Sequence, residues 1–256
     1  TGTAADRLMM VGISIEAEGS GNGSSGSRVE VSSVAYGSQT LTRLNGVIKS
    51  STEAQTQIWY LINPSSGVAN VTVNLTGNNR DANDEFVIGV STFAGVNQTA
   101  PFGTFVSATG NNQAPSITVA SATGELVFAS LGLDDSRVVG TGAGDTALWN
   151  VPRDDNDGNG ITGAASTAPG AASTVINWTA GTGYTSNETW AIAAVPIKPA
   201  SVAATPATFT QDIDMATDFA MPAGGEIKIV NHISNESSLG ASGSKAITAA
   251  LSYDST

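Results

Sequence analysis

The chain of 256 residues contains no cysteine, which excludes a disulfide framework, thiol catalysis and thiolate metal sites. His232 is its single histidine. Without a second histidine or any cysteine, neither a zinc centre nor a serine triad of the usual kind can be assembled. Charge is scarce too. Asp, Glu, Lys and Arg make up 12% of the residues, about half of the ~25% usual in globular domains. No apolar run is long enough to cross a bilayer, and no signal-peptide pattern opens the chain. The opening T-G-T-A-A-D-R reads as a mature or excised segment. No window carries apolar residues at the three- and four-residue spacing of an amphipathic helix.

What remains is a hydrophobic content of 40%, enough for a sizeable core, and 29 glycines. The polar surface must be built from Ser, Thr, Asn, Gln and Gly, a composition that suits extracellular β proteins. The net charge of −12 repels nucleic acid and anionic membranes, so neither nucleic-acid binding nor membrane insertion is expected, while divalent cations are attracted.

Residues 57–75 read as the centre of the fold. Residues 57–63 are dense in aromatic and β-branched side chains, Pro64-Ser65-Ser66-Gly67 is a turn cluster, and Val71, Val73 and Leu75 alternate with Asn70, Thr72 and Asn74. That pattern predicts an antiparallel pair in a half-solvated sheet. Further strands are expected at 7–16, with a bulge at Gly12, and at 29–36, 40–44, 85–93, 117–119, 125–131, 147–150, 174–178 and 190–195. The fold class is therefore all-β: an antiparallel, jelly-roll-like β-sandwich over residues 1–199. Residues 200–206 read as a linker, and 200–256 as a second, smaller β unit. Below 60 residues and poor in large apolar groups, that unit is expected to be incomplete alone and to be finished by a neighbour.

Several phrases carry a resemblance: R-L-M-M-V-G-I-S, S-S-V-A-Y-G-S-Q-T-L-T-R, I-W-Y-L-I-N-P-S-S-G-V-A-N-V-T-V, F-A-G-V-N-Q-T-A-P-F-G, residues 171–178 and T-W-A-I-A-A-V-P-I-K-P. Together they span Arg7 to Pro199. This part of the chain resembles a recurrent β-sandwich domain of large secreted or surface-anchored bacterial proteins. The second unit resembles a shorter repeat of bacterial adhesin-like chains. The resemblance implies an exported, multi-domain setting, one more strand ahead of Arg7, and no catalytic residues.

Among candidate sites, Asp155-Asn156-Asp157-Gly158-Asn159-Gly160 opens like an oxygen-ligand calcium loop. Asp155, Asp157 and Asn159 would supply alternate ligands, with Asp154 adding charge. Position twelve is Ser166, so the closing carboxylate of an EF-hand is missing, and an acidic surface turn is the other reading. Asp134-Asp135 with Glu125, and Asp81, Asp84 and Glu85, are further carboxylate clusters. Such pairs hydrolyse glycosides only at ~5–10 Å separation, and solvated turns are the simpler reading. Trp59, Trp178 and Trp190 read as core. Trp149, before the acidic loop, is the one candidate sugar-stacking platform, with core as its alternative. The N-x-[ST] triplets at Asn22, Asn70, Asn74, Asn97, Asn177, Asn187 and Asn235 read as coincidences of composition. Asp145-Thr146-Ala147 resembles an O-glycosylation acceptor, which makes Thr146 a candidate modification site.

These readings lead to a non-enzymatic, extracellular structural or adhesive module at the cell surface. It is expected to assemble end to end into a fibre or stalk through β-edge pairing, with neighbouring copies or domains of the same polypeptide as partners. The rival is a carbohydrate-binding module that uses Trp149 and a calcium-ordered loop.

Overall fold

The computed structural model describes residues 1–16, 29–49, 54–76, 85–153, 160–180 and 189–200. All lie in the unit Thr1–Ser201; the unit Val202–Thr256, and with it the expected smaller β unit, lies outside the described residues. Among the described residues there is no helix, and so none long and apolar enough to cross a membrane. The first half supplies β1 (Leu8–Glu16), β2 (Glu30–Tyr36), β3 (Gln39–Thr40), β4 (Thr42–Ile48), β5 (Gln55–Ile62), β6 (Val71–Thr76) and β7 (Glu85–Phe93). The second supplies β8 (Val106–Gly110), β9 (Ser116–Val119), β10 (Leu126–Asp134), β11 (Val139–Thr141), β12 (Thr146–Arg153), β13 (Ile161–Pro169), β14 (Thr174–Ala180) and β15 (Trp190–Ile197).

The strands form four antiparallel sheets. β4-β5-β1-β7 and β12-β13-β10-β15-β8 are the inner pair; β3-β2-β6 and β11-β14-β9 are the outer pair. Side-chain direction alternates along a strand, and here it sorts the residues into three apolar layers. Met9, Val11, Ile13 and Ile15 of β1 pack against Val31, Val34 and Tyr36 of the first outer sheet. Leu8 and Met10, on the opposite face of the same strand, pack with Phe128, Ala165, Ala193 and Val195 of the second inner sheet. Val127, Ala129, Leu131 and Leu133 of β10 then face Ile117, Val119, Ile176 and Trp178 of the second outer sheet. The expected β-sandwich is present, and it is doubled: two sandwiches stacked face to face.

The stack explains why β1 and β15 are buried at every position. It also corrects the reading of Gly12. The pairing of β1 with β5 and β7 runs without a slip from Leu8 onward, so there is no bulge. A β-carbon on Gly12 would stand 2.7 Å from both Ser130 Oγ and Trp149 Cζ2. Glycine sits there because the two inner sheets touch, as they do at Gly163, where a β-carbon would overlap Val87. Three hydroxyl groups in this gap are paired: Ser14 Oγ donates to Leu131 O at 2.8 Å, and Thr56 Oγ1 and Ser130 Oγ are 2.9 Å apart. Such pairing is needed because an unsatisfied buried hydroxyl costs about 1–3 kcal/mol.

The expected antiparallel pair over 57–75 does not form. β5 pairs with β1 and β4 in the inner sheet, whereas β6 pairs with β2 in the outer one. The connection from Asn63 (φ 49°) through Gly67 (φ 110°) carries the chain from one layer to the next. Arg7 fastens it, donating to Pro64 O at 3.0 Å and to Asn63 Oδ1 at 3.1 Å. The half-solvated alternation does hold for β6, whose Val71, Val73 and Leu75 are half-buried between exposed polar residues.

The second half repeats the topology of the first. β10 lies between β13 and β15 as β1 lies between β5 and β7, and β12 flanks β13 as β4 flanks β5. Registers correspond: Leu8 stands opposite Ile62 and Phe93, and Leu126 stands opposite Pro169 and Ile197. Even the bulges coincide, at Arg43/Asn45 in β4 and at Ala147/Trp149 in β12. The Gly37 N–H donates to Asn70 O, and Gly142 N–H donates to Asn177 O in the matching place.

Candidate functional site

Asp154, Asp155, Asp157 and Asn159 lie outside the described residues, as do Asp81, Asp84 and His232. Among the described residues no three His, Asp or Glu side chains are grouped to hold a metal ion. Asp134 and Glu125 do not converge, because they flank opposite ends of β10. Asp134 accepts a hydrogen bond from Thr189 Oγ1 at 3.0 Å, and Asp135 forms an ion pair with Arg137 at 3.0 Å. The neighbouring turn is held by Thr162, whose Oγ1 accepts from Arg137 N–H at 2.8 Å. Sequence reading missed a different pairing. Glu16 and Glu85 are cross-strand partners at the ends of β1 and β7, both buried. Their only sequence signal is a carboxylate closing an otherwise apolar strand.

Trp149 belongs to the interior. Its indole is half-buried in the layer between the inner sheets, with Phe128 6.0 Å away, centroid to centroid. The ring lies over Gly89 so closely that a β-carbon there would overlap Cε2 and Cδ2. A ring packed on main chain and on another aromatic presents no free platform for sugar stacking. Trp59, Trp178 and Trp190 are buried, as expected.

Thr146, the candidate modification site, is exposed at the start of β12. Its neighbour Asp145 has one carboxylate oxygen, Oδ2, buried without a hydrogen bond. Desolvation raises the Asp145 pKa above the usual 3.8, against an opposing main-chain hydrogen bond from Asn177. The sign follows directly. A carboxyl raised on folding favours the folded state fully below the ordinary aspartate range, and this contribution is lost as pH rises through the folded value. Asp145→Asn is therefore expected to raise the melting temperature slightly at pH 7 and to leave it unchanged near pH 3, read by thermal melting at both pH values.

The remaining candidate is a surface. In the second half, β8 pairs with the far edge of β15, and β9 pairs with β14 from Thr174 to Asn177. β9 also covers the outward face of β15, so Ile192 and Ala194 are 0% exposed. The first half has no such cover among the described residues. Among the described residues β7 is the last strand of its sheet. Its outward residues Ile88 and Val90, paired with Ile13 and Val11, are 46% and 41% exposed. Residues 67–70 match Thr174–Asn177, yet they are not in a strand, and Val68 is fully exposed. Among the described residues, one apolar face and two strand edges thus stand open side by side, where edges are usually paired, charged or covered.

Comparison with protein-family models, with curated proteins and with solved structures returns no match.

Proposed function

We propose that this chain is a non-enzymatic structural or adhesive module of an extracellular, cell-surface polypeptide. It joins its neighbours end to end into a fibre or stalk through β-edge pairing. The observation that supports this reading is that, among the described residues, the edge of β7 is open with Ile88 and Val90 exposed beside it, while the matching strand β15 is wholly covered. Strand addition at such an edge takes affinity from main-chain hydrogen bonds and specificity from alternate side chains. The Ser-, Thr-, Asn- and Gly-rich surface fits an external setting. The resemblance to surface-anchored bacterial domains points the same way. The carbohydrate-binding alternative is disfavoured by the interior position of Trp149.

Sedimentation velocity across a hundredfold range of concentration tests the reading. Species heavier than the monomer should grow with concentration, and Ile88→Lys with Val90→Lys should suppress them while leaving the fold intact. A folded monomer at every concentration would overturn it.

A further inference from the structure

An asparagine followed by glycine is open to rearrangement without any enzyme, because glycine puts no β-carbon beside the amide nitrogen that attacks the carboxamide. The pair occurs at Asn22, Asn45 and Asn159, and the first and last of these lie outside the described residues. We infer that Asn45–Gly46 in β4 is a self-modification site. In the folded protein the Gly46 nitrogen attacks the Asn45 carboxamide, and Asn45 becomes a mixture of isoaspartate and aspartate. The inference is independent of the assembly reading above.

Three observations carry it. The first is contact. The Gly46 N–H donates to Asn45 Oδ1 at 2.9 Å, so the carboxamide is folded back on the peptide that must attack it. Other asparagines hold theirs elsewhere: Asn97 Oδ1 accepts from the N–H of Thr99 and Ala100, and Asn150 grips the main chain of Val139. Such pre-positioning removes part of the orientational cost of closing the ring. The second is freedom. Asn45 is exposed, and among the described residues β4 has a neighbour on one side only. Its register slips between Arg43 and Asn45, so the ladder is interrupted at the residue that must turn. The third is that the glycine is held in place. A β-carbon on Gly46 would stand 2.9 Å from both Gln57 Cγ and Thr56 O. Packing on β5 thus keeps at position 46 the residue that favours the reaction.

The chemistry needs only water. Hydroxide takes the Gly46 amide proton, the nitrogen bonds to Asn45 Cγ, and the Cγ–Nδ2 bond breaks with Nδ2 leaving as ammonia, protonated by water. Water then opens the five-membered imide. Opening at Cγ returns a normal peptide with an aspartate side chain; opening at the Asn45 main-chain carbonyl leaves the backbone running through Cγ, as isoaspartate. In sum, asparagine and water give aspartate or isoaspartate and ammonia. Isoaspartate adds a methylene to the backbone between the positions paired with Ile58 and Gln57.

The test holds the full chain at pH 8 beside the free peptide L-N-G-V-I-K. Trypsin cuts after Arg43 and Lys49 and releases the same six residues from the chain. Mass spectrometry reads the replacement of NH2 by OH in that peptide, fragmentation separates isoaspartate from aspartate, and a zero-time digest sets the background. The folded chain is expected to convert at a rate within about tenfold of the free peptide, and to give both products. Urea below the unfolding transition should leave that rate unchanged, whereas a reaction confined to unfolded molecules would accelerate with urea as their population grows. A folded chain slower than this overturns the inference, as does a rate that climbs with urea. Aspartate without isoaspartate overturns it too, because direct hydrolysis of the side chain makes no imide.

Discussion

Replacing Gly89 with alanine is expected to cost about 3 kcal/mol, the upper end of the usual range for overpacking a core. Nothing in the local sequence announces this, since Gly89 lies mid-strand in E-F-V-I-G-V-S-T-F and its backbone is ordinary. The cost comes from the opposite sheet. The indole of Trp149 lies against the Gly89 Cα, and the added methyl would overlap two ring atoms. The ring cannot retreat freely, because Phe128 and Gly12 hold it from other sides. A double-mutant cycle isolates the contact. On a Trp149→Leu background the alanine at 89 should cost far less than in the wild type, measured by urea denaturation. Equal costs in the two backgrounds would mean that the ring is not what forbids the methyl.

Phe128→Ala should cost about 3–5 kcal/mol, the range for removing a buried phenyl ring. Phe128 is fully buried in the middle layer, 6.3 Å edge-to-face from Phe93 of the first half and 6.0 Å from Trp149 of the second. Its loss opens a cavity between the two inner sheets, where neither half can collapse without dragging its outer sheet along. The consequence reaches beyond stability. Each inner sheet depends on the other to cover one apolar face, so the halves should unfold together. Near-ultraviolet circular dichroism and intrinsic fluorescence should give one coincident transition in the variant, as in the wild type, at lower denaturant. Two separated transitions would show that each sandwich stands alone.

Strands were legible in the sequence wherever one face is wet. Residues 85–93 were delimited to the residue, and the alternation of Val71, Val73 and Leu75 correctly described an outer-sheet strand. The period of two reports which side chains share a face, however, and not which strand lies alongside. That is why 57–75 read as a hairpin although its two strands belong to different layers. β13 was missed for a different reason. I-T-G-A-A-S-T-A-P has small residues where a buried strand normally has large ones, so no strand was expected there. It lies in an inner sheet with cover on both faces, and Gly163 and its neighbours are small because Val87 and the facing sheet come so close. The doubling of the fold was equally hidden. L-M-M-V-G-I-S-I-E and L-V-F-A-S-L-G-L-D share alternation but few residues, and their equivalence emerges from matching registers and matching bulges.

The candidate site was only partly legible. Dependence on neighbours was expected from the small size of the second unit, and nothing in the sequence singles out the surface of Ile88 and Val90 beside the edge of β7. Both sit in a strand whose sequence resembles any buried one. Among the described residues the outer sheet of the first half stops short of β7, and that follows from the order of strands rather than from their composition.

Amide hydrogen exchange in β7 and β15 tests most directly whether the first half is built to be completed by a neighbour. The two strands hold equivalent places, so each serves as the control for the other. In the dispersed chain, residues 85–93 should exchange much faster than residues 190–197, and in the assembled state that difference should largely disappear. Equal protection of both strands in the dispersed monomer, unchanged on raising the concentration, would contradict it.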